Sequence, residues 1–371
     1  MTREKPSPFI EARLRRHEAL SRSRCARRGP GGSLQPRRRA ILAGAILLCT
    51  LASRASSQAT LENDEMRLEL IGLKQWTVPM IEDSLRRYAP QDALLSHACA
   101  GVLREKLKFA DASVQYFTTI VDGKPTKPFL AVTVVEPQDS ALIRYRGPFR
   151  DSLPARRAWR SVHRIVEQHN LAFQGAIQRP HVLWGDAPLR AEDSTVAPAL
   201  PLRRFLRSHR SAKDRQLALT TLATDGNDGN RVVAIVILAN FADSDSVWWA
   251  LTDALRDPVG SVSATAAQVL TTLYRRAPRR VDWAPAAPTV RAILDGTNLF
   301  AHDEMMEVLA ATRVDSSLAR PLLKDGGYLV LAKLGSQGMS QRQAAHRFLV
   351  QVAGRDLGDS PASWREWLRG L

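Results

Sequence analysis

Residues 246–273 read SVWWALTDALRDPVGSVSATAAQVLTTL. Val247, Trp248, Leu251, Ala254 and Leu255 fall on one face at helical spacing, and Val262, Ala266, Val269 and Leu270 resume the stripe after a break. The break is Asp257-Pro258: proline has no amide proton for a helical ladder and biases the residue before it toward extended angles, so a sharp reversal is expected. An αα hairpin is predicted. Its second helix places a small residue four positions before a leucine, which leaves a flat spot on an apolar stripe and lets a neighbouring helix approach closely. The pattern recurs at Arg215/Ala218/Leu222 and Arg231/Ala234/Leu238, with weaker copies at His302/Met305/Leu309 and Arg342/Ala345/Leu349. Such a stripe cannot be satisfied alone and must be buried against the next copy, the logic of a stacked helical solenoid.

Working outward, helical periodicity covers 199–208, 213–223, 230–241, 246–256, 261–275, 288–295, 303–312, 315–324, 327–335, 340–353 and 361–369. The anchors Ala234, Ala266, Met305 and Ala345 lie 32, 39 and 40 residues apart, which suits two-helix repeats. The helix, Asp-Pro turn and Val262-x-x-x-Ala266-Ala267-x-x-Leu270 second helix resemble the HEAT-repeat family, of the armadillo-like helical class, over about residues 199–371. The ending Gly358-Asp359-Ser360-Pro361-Ala362-Ser363-Trp364-Arg365-Glu366-Trp367 is similar to the helix that follows bacterial HEAT arrays. The resemblance implies that the Trp pair covers the last repeat. It also implies an α-solenoid whose curved surface holds a protein partner, with no chemistry of its own.

Before this region the pattern is mixed. Helices are expected over 77–88, 92–106 and 154–169. Between the last two, 113–121, 129–136 and 141–146 are rich in β-branched and aromatic residues and are separated by turn residues, which predicts an antiparallel meander. The fold class is therefore mostly α: a small α+β domain over 60–186, a Pro/Ala-rich linker over 187–198, and the helical array from 199 to 371.

Residues 1–59 carry 13 Lys and Arg against 3 Asp and Glu, so ten of the net +16 charges sit there and the rest of the chain is close to balance at +6. A general nucleic-acid surface is not expected from that balance. Arg37–Arg39, the apolar run Ala40–Ala52 and the small residues near Ser57-Gln58-Ala59 have the three parts of a secretory signal peptide, and the run is short for a bilayer span. The expectation is an exported protein, periplasmic or secreted, that touches a membrane only if this segment is retained as an anchor. Arg38-Arg39 admits a twin-arginine route, with Arg37 where Ser or Thr is usual. Cys49 would be a lipid-attachment site but for Leu48 before it. Residues 1–36 read as an unstructured extension or as sequence upstream of the true start. After cleavage only Cys99 of the three cysteines remains, which allows no internal disulfide and suits a buried core residue.

Candidate chemistry is sparse. His163 and Glu167 share a helix face, but His169 falls off it and the spacing is not that of a zinc peptidase; His97 and Cys99 point to different faces. Glu136 and Asp139 flank a turn. There is no phosphate loop, nucleophile elbow or Cys-x-x-Cys, and no cofactor or metal is expected. A noncatalytic interaction scaffold with a protein partner is the favoured expectation. The alternative is an enzyme or enzyme subunit using the α+β domain. The partner-binding candidates are Arg275, Arg276, Arg279 and Arg280, the densest basic cluster after the export segment, and the adjacent Trp248 and Trp249. Only one of that pair can face the core, and the other would be an interface anchor.

Overall fold

A computed structural model describes residues 58–371 apart from 92–93, 96–98, 118–119, 122–123, 126, 151, 155, 169, 186–195, 295–298 and 300. The segment expected to direct export, Cys25, Cys49, His97, His169 and most of the expected linker lie outside the described residues.

The sheet is assembled from β1 (Gln58–Glu62), β2 (Arg67–Ile71), β3 (Asp111–Phe117) and β6 (Phe129–Val135), with β4 (Ile120–Val121) and β5 (Lys124–Pro125) as a separate two-residue ladder. Its order is β1-β2-β6-β3. β1 pairs antiparallel with β2, β2 parallel with β6, and β6 antiparallel with β3, from Asp111↔Val135 to Phe117↔Phe129. The expected meander is therefore corrected to a mixed sheet. The β3–β6 pairing is as read, but the β1–β2 hairpin is added. Residues 141–146 form no strand: a 3-10 turn over Pro137–Leu142 leads into an extended run that bonds to helices instead. Both faces of the sheet are covered, which suits the unbroken apolar sequence of β6. One face packs on α1 (Val78–Tyr88) and α2 (Cys99–Glu105) through Leu68, Leu70, Ile81, Leu85, Cys99 and Leu103. Burial there pushes the Cys99 thiol up to about 11.

Three short helices, α3 (Arg160–Gln168), α4 (Asn170–Ile177) and α5 (Pro180–Trp184), lead to the helical region. This comprises α6 (Val196–Ser208), α7 (Ala212–Thr224), α8 (Asp228–Leu238), α9 (Asp245–Ala254), α10 (Gly260–Arg276), α11 (Ala287–Leu294), α12 (His302–Ala311), α13 (Ser316–Leu334), α14 (Met339–Ala353) and α15 (Pro361–Arg369). Ser211 and Asp214 cap α7 reciprocally, and Asn227 and Asp315 cap α8 and α13. Gly354, at φ +71, ends α14 in the left-handed conformation that glycine adopts without strain. The two helices expected over 315–335 are a single one, α13. At Gly327 a Cβ would lie 3.3 Å from Leu368 Cδ1, so this position serves the close approach of α15 rather than a break.

Consecutive helices pair as α7/α8, α9/α10, α11/α12 and α13/α14. Alternate helices also touch: α7, α9, α11, α13 and α15 in one series, α8, α10, α12 and α14 in the other. The anchors Ala234, Ala266, Met305 and Ala345 are all fully buried in the shared core. Trp364 is buried there as well, with its Nε1 donating to Gly358 O at 2.6 Å and the Trp367 ring edge-on to it.

The sheet and the run that follows it lie directly on these helices. Phe117, Phe129, Ile71 and Ala131 meet Ala332 of α13. Beside them runs a buried polar seam: Glu69 accepts from Ser336 Oγ at 2.8 Å, Gln341 donates to Gln115 at 2.7 Å, Gln115 to Asp303 at 3.2 Å, and Lys333 Nζ to Asp303 at 2.6 Å. Further on, the extended run after Ile143 crosses the loops before α8 and α10. Asp257 takes bidentate hydrogen bonds from Arg231 at 2.9 and 3.0 Å and two from Arg146 at 2.7 and 3.0 Å, while Phe149 stacks 4.1 Å from the Arg231 guanidinium. The Asp of the Asp-Pro turn and the Arg of the recurring pattern are thus a buried ion pair linking successive hairpins.

Candidate docking site at the helix ends

The basic cluster Arg275–Arg280 closes α10 and the loop after it, where cations favour the helix dipole. Arg210 comes alongside, from a second basic run over residues 203–215 in which Asp214 is the one acid. Between the two runs is a cleft of about 730 Å³ bordered by Trp184, Arg210, Asn240, Phe241, Asp243, Arg276 and Arg279. Asn240 organises it. Its amide donates to Leu206 O and His209 O, both at 2.9 Å, and its carbonyl accepts from Trp184 Nε1 at 3.2 Å. Arg276 donates to Ala239 O at 2.7 Å and lies 4.9 Å from the Trp184 ring centroid. Burial, and then the charge of Arg210, holds its pKa below the usual guanidinium value. Among the described residues neither Arg210 nor Arg276 pairs with a carboxylate, whereas Arg279 pairs with Asp245 at 2.5 Å.

The six candidates read from sequence are not one patch. Arg276 and Arg279 border this cleft. Arg280 borders a neighbouring hollow of about 700 Å³ and pairs with Asp315 at 3.3 Å. Arg275 stands at a third cavity, of about 430 Å³, opposite Glu304 of α12. Trp248 is fully buried, its Nε1 donating to Ala242 O at 2.9 Å. Trp249 is half-buried against the same core and donates to Asp282 O at 2.7 Å, so its indole ties α9 to the loop before α11. Arg210 and Trp184 are additions that the sequence reading misses. The charge density of 203–215 is a visible signal for the first; nothing in the sequence pairs Trp184 with Arg276.

The third cavity holds the largest perturbation of a carboxyl. Burial, with the Asp303 carboxylate adding to it, raises Glu304 to about 7, and Glu304 Oε2 accepts no hydrogen bond from the described residues. Its neighbour His302 is driven the other way, down to about 3, by burial and then by the Lys333 charge.

Glu136, Asp139 and His163 have these partners. The buried Glu136 carboxylate accepts the backbone amides of Lys74 at 2.7 Å, Gln75 at 3.0 Å and Trp76 at 2.9 Å, which closes the loop after β2. Asp139 pairs with Lys74 at 2.8 Å, and His163 bonds Asn230 at 2.9 Å in the core. Among the described residues no group of three or more His, Cys, Asp or Glu is placed to hold a metal ion, and no helix is long and apolar enough to cross a membrane. A scan against protein families finds no matching family, and no curated protein matches the sequence.

Proposed function

We propose that residues 199–371 are a HEAT-like α-solenoid and that the protein is an exported, noncatalytic scaffold that docks a protein partner at the basic cleft. The observation that carries this is the convergence of two basic runs far apart in the chain, one around Arg210 and the other holding Arg276 and Arg279, on one concave, hydrogen-bonded cleft. The alternating contacts of two helix series support a repeat architecture, in which each hairpin is stabilised by its neighbours and surface is plentiful. The reading is tested with a photo-crosslinking side chain placed at Pro278, on the cleft, and separately at the exposed Met80 of α1. A discrete crosslinked protein from Pro278 alone, which then binds the purified chain, is the expected result. No product from Pro278, or the same products from both positions, overturns it.

A further inference from the structure

Resting on that reading, we propose that the cleft grips the carboxylates of an Asp/Glu-rich protein segment between Arg210 and Arg276. Both guanidiniums border the same cleft, and among the described residues no ion pair joins either of them to a carboxylate. A carboxylate placed between them makes two charge-assisted hydrogen-bonded contacts, and the planar fork of arginine matches a carboxylate's two oxygens. Trp184 and the Ala239 carbonyl hold Arg276 in place, so little side-chain freedom is lost on binding at that position.

The same surroundings disfavour a nucleic acid. Phe241 is buried and Trp184 is engaged by Arg276, which leaves neither ring of the cleft free as a platform for stacking bases. Asp243 and the Asp245 that pairs with Arg279 also interrupt the basic stripe that a phosphate backbone would follow. A short peptide with spaced acids fits between these carboxylates; a continuous polyanion does not.

The test is fluorescence anisotropy of the purified, exported protein with a fluorescein-labelled peptide of four Glu-Asp-Leu repeats. Saturable binding is expected, weakened about tenfold or more by Arg210→Ala, in line with loss of a charge-assisted contact. Arg276→Lys, which keeps the charge and loses the fork, weakens it less than Arg210→Ala, and Arg280→Ala, outside the cleft, leaves it within about twofold. Thermal midpoints confirm that the variants are folded. Equal loss in Arg210→Ala and Arg280→Ala overturns the proposal, as does tighter binding of a single-stranded oligonucleotide or of anionic-lipid vesicles than of the peptide. Absence of peptide binding also overturns it, and if the Pro278 crosslink persists then the scaffold reading stands without an acidic partner.

Discussion

Replacing Glu304 by Gln tests the electrostatics of the helical core. A carboxyl raised from 4.5 to about 7 holds its proton more tightly in the folded chain than in the unfolded one. Its contribution to stability is full below the unfolded value and is lost as pH climbs from about 4.5 through about 7. The shift caps the loss at about 3 kcal/mol, and residual contact with water through the cavity reduces it to about 1–3 kcal/mol. Gln keeps the shape and cannot ionise. The Glu304→Gln chain should therefore match the parent near pH 4.5 and exceed it progressively up to pH 8. With an m-value of about 3 kcal/mol/M, urea midpoints at pH 8 should differ by about 0.3–1 M. His302 works in the opposite sense, since its folded value near 3 destabilises the native state as pH falls below about 6.5, but it is present in both chains and drops out of the difference. A difference that stays flat from pH 4.5 to 8, or a variant weaker than the parent at pH 8, would refute the reasoning.

Lys333→Met should cost about 3–5 kcal/mol, because it strands the Asp303 carboxylate beside Gln115; the Lys333→Met/Asp303→Leu pair should recover a large part, as a double-mutant cycle on thermal midpoints will show. Asp257→Ala removes the acceptor shared by two buried arginines, at a similar cost of about 3–5 kcal/mol, and limited trypsin digestion should then cut at Arg144, Arg146 or Arg150 before other sites. If the chain is exported and cleaved as proposed, its mature form should begin at or before Gln58, read by N-terminal sequencing, because Gln58 pairs with Ile71 and its side chain donates to Gly335 O at 2.9 Å; Ala55 and Ser57 supply small residues at the right places for cleavage there. A start beyond Ala59 would contradict the role of β1.

The helices are legible where a period of 3.6 and a strong terminator coincide. Asp257-Pro258 marks the turn between α9 and α10 in both sequence and structure. Legibility fails where the deciding contact is distant in sequence. Gly327 looks like a helix breaker until Leu368 is seen beside it. The parallel pairing of β2 with β6 leaves no local trace, and residues 141–146 have strand composition yet are claimed by Arg256 O and Asp257 of the helical region. Of the site, Arg276 and Arg279 can be read from charge density alone. Trp249 cannot, because adjacency to Trp248 predicts only that the two indoles diverge, not that the second finds Asp282 O.

These contacts also bear on where the proposed partner would dock. The series α8, α10, α12 and α14 would be the inner face of the proposed repeat stack, and β3, α3 and α4 lie against it. His163 of α3 bonds Asn230 of α8, Thr272 of α10 donates to Ile177 O at the end of α4 at 2.9 Å, and Gln115 of β3 bonds both Asp303 of α12 and Gln341 of α14. Each is a buried or half-buried polar contact whose loss would strand an unpaired group, so peeling these elements away to admit a partner is costly. At the cleft the cover is lighter: Trp184 bonds Asn240 and lies beside Arg276, and the cleft stays open around them. Arg210 is exposed and without a carboxylate partner among the described residues, so a ligand there need break no existing ion pair of Arg210 or Arg276, and docking at the edge is favoured over the face.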